Sequence, residues 1–183
     1  MRLIFAMKEE SRDLFTDHDT LHTGIGKINA AHALTKCITQ SRPDIIINLG
    51  TAGSPTFKTG TIVNPTKFIQ RDMNVTALGF DLYQTPFSTD PITIEYGKRL
   101  SHLPTGTCGS GDSFDITGTQ NPFTIIDMEA YAIALICQRE NIPFLCLKYI
   151  SDGADETANT DWDKTLDQAA TTLRKVLDEY LMQ

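Results

Sequence analysis

Four apolar runs punctuate the chain: Leu3 to Ala6, Ile45 to Leu49, Thr61 to Val63 and Phe144 to Ile150. Runs of this length, bounded by polar or glycine-containing turns, predict buried strands. Between them the apolar positions recur every three or four residues. Ile28, Ala31, Leu34 and Ile38 share one face of a helix over 28–38, entered through the Gly24-Ile25-Gly26 turn. Trp162, Leu166, Ala169, Leu173, Val176 and Tyr180 form a stripe along a final helix from Trp162 to Leu181. Residues 81–122 are frequent in Pro, Thr, Ser and Gly and weakly periodic, apart from a short helix expected from Pro91 to Leu100. Strand and helix patterns that alternate in this way predict an α/β protein with a mostly parallel or mixed sheet.

Composition narrows the function classes. At 183 residues and 40% hydrophobic content the chain suits one domain, residues 1–183, with a two- or three-layer core. A net charge of −7 without any Lys/Arg run argues against nucleic acid or an anionic membrane as partner. A small molecule is the expected partner. No stretch approaches the roughly 20 apolar residues of a membrane span, and MRLIFAMKEE turns acidic too soon for a signal peptide, so a cytoplasmic protein is expected. Cys37, Cys108, Cys137 and Cys146 lie in apolar surroundings without a CxxC pair and read as reduced core residues. His18, His22, His32 and His102 lack ligand spacing, and no metal site is expected.

Candidate chemistry gathers at strand ends, where open α/β sheets bind ligands. The strand FLCLKYI delivers Asp152, flanked by Ser151 and Gly153, to such an edge; helix capping and acid catalysis both fit it there. The first strand ends in Met7-Lys8-Glu9-Glu10, where a helix dipole favours acidic residues whether or not they catalyse. Ile45 to Leu49 runs into Gly50-Thr51-Ala52-Gly53, small residues that let a ligand approach the backbone, or a plain turn. In IIDMEAYAIALICQ, a helix starting near Met128 puts Glu129 on the face of Ile133 and Ile136, the buried side. A carboxylate there must pair internally or serve a ligand rich in hydroxyls. Ser110-Gly111-Asp112-Ser113-Phe114 offers either an aromatic surface beside a strand end or a core phenylalanine. TGIGK departs from a dinucleotide fingerprint, since Asn29 takes the third glycine position.

Taken in order, AMKEE, TGIGKINAA, IINLGTAG, NVTALGF, SGDSF, DMEAYAIA and KYISDGAD resemble the motifs of the methylthioadenosine/adenosylhomocysteine nucleosidases, within the nucleoside phosphorylase superfamily. The resemblance spans nearly the whole chain. It implies a three-layer α/β/α domain around a mixed sheet, a homodimer, and no metal or organic cofactor. By position it implies that Glu10 activates the attacking water and Asp152 protonates the leaving purine. Glu129 matches the carboxylate that clamps the ribose hydroxyls, with Met128 beneath the sugar. Phe114 falls where the family stacks an aromatic on the purine, and Asp115 where backbone groups read the purine edge. Thr51 and Gly53 match residues lining the ribose and water side, Ser151 precedes the acid, and Trp162 corresponds to an aromatic over the base.

Departures from the pattern bear on the substrate. The hairpin after the first helix shrinks to a few residues around His18 to Thr23, and the loop from Ile116 to Phe123 is short. Lys148 stands where the family usually has Arg, Asn74 replaces an Asp before Val-Thr, and Ser54 replaces a Gly. The catalytic acids remain, while the 5′-substituent preference is open. Phosphorolysis is the alternative chemistry: a phosphate nucleophile calls for cationic clamps, and the phosphorylases of the superfamily place Arg where this chain has Asn48. A non-catalytic nucleoside binder on the same fold is a further alternative. Hydrolysis of a purine ribonucleoside, releasing adenine, is the expected activity.

Overall fold

A computed structural model of the protein describes residues 1–113, 122–153 and 158–182, and only the helical backbone of 158–164. Its elements run β1 (Arg2–Phe5), α1 (Lys8–Ser11), β2 (Thr20–His22), α2 (Lys27–Gln40), β3 (Ile46–Gly53), β4 (Ile62–Val63), β5 (Lys67–Gln70), β6 (Thr93–Glu95), β7 (Thr107–Ser110), β8 (Ile125–Asp127), α3 (Ala130–Arg139), β9 (Phe144–Asp152) and α4 (Ala158–Leu181).

β3 is the spine of a mixed sheet. It pairs in parallel with β1 on one side and β9 on the other, and its last residue, Gly53, meets Ile126 of β8 in antiparallel sense. β2 extends the sheet beyond β1, and β7, β5 and β6 continue it beyond β8. The central strands are covered on both faces, which is why their sequences read as nearly continuous apolar runs.

Side chains alternate across the sheet and so divide the core in two. Leu3, Phe5, Ile47, Leu49, Leu145, Leu147 and Tyr149 pack toward α4, against Ala169, Leu173 and Leu177. Ile4, Ile46, Phe144, Cys146 and Ile150 face the other way, against Ala30 and Leu34 of α2 and Ile133 and Cys137 of α3. These layers make the α/β/α arrangement, with α2 and α3 on one face and α4 on the other. All four cysteines are free and buried.

Two expected elements differ. Pro91 to Leu100 is not a helix: Thr93–Glu95 forms β6, antiparallel to β5 with Phe68 opposite Ile94. The alternation around buried Ile94, with β-branched Ile92 and Thr93 beside it, favours an extended strand over a helical turn. The helix expected from Met128 begins at Ala130, which leaves Glu129 as its N-cap, with φ of −133° and ψ of −34°. β5, β7 and β8 are too short to stand out as apolar runs.

Candidate functional site

β1 carries the chain into α1 at one end of the sheet, and the short helix turns Glu10 back toward β3. Glu10 is buried, with four donors on its carboxylate. Oε1 accepts from the Thr51 amide at 2.9 Å and the Thr51 hydroxyl at 2.8 Å. Oε2 accepts from the amides of Ala6 at 3.2 Å and Met7 at 3.4 Å. The close approach depends on Gly50, where a Cβ would lie 3.1 Å from Glu10 Oε1.

Asp152 ends β9 beside this edge, opposite Gly53. The register between β3 and β9 shifts after Ala52, which pairs with Ile150, so that Ser151 is the extra residue of a bulge. Bulges re-aim neighbouring side chains. Here the Ser151 hydroxyl, fully buried, donates to Asp152 Oδ2 at 2.7 Å, and the Ser54 amide donates to the Asp152 carbonyl at 3.0 Å.

Glu129 is 7% exposed and accepts from the Gly26 amide at 2.8 Å. That amide is aimed by a backbone turn at Gly26 with φ of 94°, a region that favours glycine. Burial pushes the Glu129 carboxyl up to about 8, reinforced by the like charge of Asp127 and opposed by Lys148 and the Gly26 amide; Glu10 adds a smaller upward push. Glu10 and Glu129 therefore share one electrostatic neighbourhood.

Beneath them lies a buried ion pair, Lys148 Nζ to Asp127 Oδ2 at 2.9 Å. Burial pushes Asp127 up, but the ammonium and the Ser110 hydroxyl outweigh it and hold the carboxyl below its usual range. Burial pulls Lys148 down, and Asp127 together with Cys146, Glu129 and Cys108 more than reverses this. Asp127 also accepts from the Ser110 hydroxyl and from the Ala130 amide at 2.9 Å, at the start of α3.

The candidate residues from the sequence fall as follows. Glu10 and Thr51 are in direct contact, Glu129 lies within electrostatic reach of Glu10, and Asp152 and Ser151 sit beside Gly53 at the carboxyl end of β3. Met128 is half-buried between β8 and Glu129. Phe114 and Asp115 lie outside the described residues. Trp162 belongs to α4, with its side chain outside the described residues. Sequence reasoning gave no role to Asp127, to the Ser110 hydroxyl or to the Gly26 amide. A lysine inside the buried strand FLCLKYISD was the available signal for Asp127, because a buried ammonium requires a carboxylate partner. A groove of about 870 Å³ beside Glu95, Lys98, Thr107 and Phe144 contains none of the candidate residues. Among the described residues no cluster of His, Cys, Asp and Glu is arranged to hold a metal ion.

A mixed sheet between helical layers, with acids at the carboxyl ends of its central strands, defines a class. The family model of the Phosphorylase superfamily matches residues 20–182. The 5′-methylthioadenosine/S-adenosylhomocysteine nucleosidase of Anoxybacillus flavithermus is 33% identical over 171 residues, covering 82% of this chain and 74% of that protein. That of Exiguobacterium sp. is 34% identical, covering 86% and 76%. The nucleosidase of Neisseria meningitidis, solved in complex with methylthio-immucillin-A, superposes with a TM-score of 0.85 at 26% identity, covering 98% and 97% of the two chains. Within the superfamily, the chain belongs to the 5′-methylthioadenosine/S-adenosylhomocysteine nucleosidases.

Proposed function

We propose that this protein hydrolyses the N-glycosidic bond of adenine ribonucleosides such as 5′-methylthioadenosine and S-adenosylhomocysteine, releasing adenine. The observation that carries this reading is the gathering of buried Glu10 and Glu129 at the edge where Asp152 ends β9. Family membership supports it.

In this reading a water lies between Glu10 and the anomeric carbon. As the C–N bond breaks, its electron pair passes to the purine, and Asp152 gives its proton to N7. A positioned acid of this kind contributes about 10² to 10⁴ in rate. The ribose acquires oxocarbenium character, which the Glu10 carboxylate stabilises, joined by Glu129 in its ionised form. Water then adds to the anomeric carbon and its proton passes to Glu10. Thr51 orients Glu10, and Ser151 orients Asp152. Gly53 and Met128 line the sugar, Phe114 stacks on the base, Asp115 meets its edge and Trp162 covers it.

Water rather than phosphate is the nucleophile in this proposal. Asn48 is 1% exposed and donates to the Ile4 carbonyl within the sheet, a poor position for an anion clamp. We further assign residues 1–183 to one nucleosidase domain that needs no metal or organic cofactor, acts in the cytoplasm and pairs as a homodimer. The free cysteines support the compartment. Exposed Ile28, Leu78 and Phe87 support a second copy as partner.

The test is release of free base from a panel of purine and pyrimidine nucleosides in chelator-treated, phosphate-free buffer. Adenine and free sugar are the expected products from 5′-modified adenosines. Activity that appears only when phosphate is added, with ribose 1-phosphate as product, assigns the chain to phosphorolysis instead. Light scattering on the purified protein reads the oligomer directly, and a monomer at assay concentration removes the homodimer.

A further inference from the structure

We propose that Lys148 and Asp127 are positioning residues for Glu129, setting from beneath both the aim and the charge of the carboxylate assigned above to the ribose. The inference rests on that functional reading and extends it to residues that need not touch the nucleoside.

The aim follows from geometry. Glu129 is the N-cap of α3, so its direction depends on how the first turn of that helix is held. Asp127 holds it directly, accepting from the Ala130 amide at 2.9 Å. It holds the next residue through Ser110, whose hydroxyl donates to Asp127 and accepts from the Tyr131 amide at 2.8 Å. From the other side the Gly26 amide at the start of α2 fixes Glu129 Oε1. Asp127 in turn is held by Lys148 on β9, at 2.9 Å.

The charge follows from the census around Glu129. Asp127 comes from β8, Lys148 from β9 and Glu10 from α1, with the Gly26 amide from α2. The neighbouring thiols Cys108 on β7 and Cys146 on β9 are pushed up by burial, the latter to about 12, and stay neutral. Glu129 thus faces two other carboxylates and one ammonium. The Lys148 and Asp127 side chains are 3% and 1% exposed. A buried pair of this kind is a weak source of stability, because apolar side chains of similar volume often serve the fold as well. Its place on the apolar face that Cys146 and Ile150 share points to the carboxylate above it.

The two residues act on Glu129 with opposite sign, and this gives a test that a merely structural role does not pass. Lys148→Gln removes the attracting charge, so Glu129 should ionise at higher pH, by about one pH unit or more. Asp127→Asn removes a repelling charge, so Glu129 should ionise at lower pH. Lys148→Arg keeps the charge and should leave the profile near that of the wild type. The readout is the ¹³C resonance of the Glu129 carboxyl in folded protein, assigned with Glu129→Gln, alongside the pH profile of kcat/KM for 5′-methylthioadenosine.

Opposite displacements of the midpoint, followed by the kinetic profile, are expected. Displacements of the same sign, or none in folded variants, overturn the proposal. So does a wild-type Glu129 that titrates at an ordinary carboxylate pH, a result that needs no variant to fold. Opposite displacements in a protein that cleaves no nucleoside overturn the functional reading instead and leave the electrostatic coupling standing.

Discussion

Thr51 holds Glu10 twice, its amide and its hydroxyl both donating to Oε1 at 2.9 and 2.8 Å. Two donors on one oxygen fix the carboxylate without neutralising it, which suits a base that must take a proton from water. Glu10→Gln is therefore expected to abolish release of adenine while 5′-methylthioadenosine still binds, because the purine and ribose contacts remain. Equilibrium binding and base release measured on the same preparation check this. Thr51→Val deletes one hydrogen bond to a charged group, worth about 1.5–3 kcal/mol, and kcat should fall at least about tenfold; Thr51→Ser should retain it. Wild-type turnover in Glu10→Gln removes Glu10 from the mechanism.

In the proposed mechanism Asp152 carries the proton for the leaving base. Its amide analogue keeps the shape and the contact with the Ser151 hydroxyl, but has no acidic proton to deliver. Asp152→Asn should lose about 10² to 10⁴ in kcat for adenine nucleosides, with the circular dichroism spectrum and thermal midpoint close to wild type. Loss of the folded spectrum together with activity would instead make Asp152 a structural residue of the β9 bulge.

The ionisation of Glu129 couples stability to pH. Its carboxyl is raised from 4.5 to about 8 in the folded protein by burial and then by Asp127. Below about pH 4.5 folded and unfolded chains both hold this proton. As pH rises toward 8 the unfolded chain releases it and the folded chain retains it, so stability falls over that window. Glutamine does not titrate, so Glu129→Gln should gain stability relative to wild type between about pH 5 and about pH 8.5. Urea midpoints of the two proteins at both pH values decide the matter, and a difference that stays constant contradicts it.

Legibility of the site in the sequence divides along physical lines. The strand-end positions of Glu10, Thr51, Gly53 and Asp152 were readable because each follows an apolar run long enough to announce a strand. Glu129 was readable as buried, from its place in an apolar helical pattern. Its partners were not. The Gly26 amide comes from a turn that sequence shows only as the entry to a helix, and a backbone donor has no residue-type signature. Asp127 ends a strand of three residues, β8, too short for its period to register. The β9 bulge depends on register with β3, which no local pattern in Tyr149-Ile150-Ser151-Asp152 specifies.

Core packing beneath the site yields a prediction independent of chemistry. Leu173 of α4 is fully buried among Leu3, Leu145 and Leu147. Leu173→Ala should cost about 2–5 kcal/mol of stability, from lost burial and the cavity left behind. Activity per folded molecule should be unchanged at low temperature, since α4 packs on the face opposite Glu129. Denaturant unfolding gives the first quantity and an active-site titration the second; a variant that is stable but inactive contradicts this division of the two faces.

The sugar itself provides the sharpest discrimination. If Glu129 accepts from both ribose hydroxyls, a substrate lacking one leaves a buried carboxylate oxygen without its partner, and sites built around a hydroxyl reject such analogues by large factors. Wild-type protein should cleave 5′-methylthioadenosine far better than its 2′-deoxy or 3′-deoxy analogue, with the difference carried by kcat/KM. In Glu129→Gln the ribonucleoside should lose most of its advantage while the deoxy analogues, already poor, change little. The quantity to compare is therefore the ratio of kcat/KM values for ribose and deoxy substrates in the two proteins. A ratio that survives the substitution places ribose recognition on another residue, and equal cleavage of both sugars by the wild type removes Glu129 from substrate binding altogether.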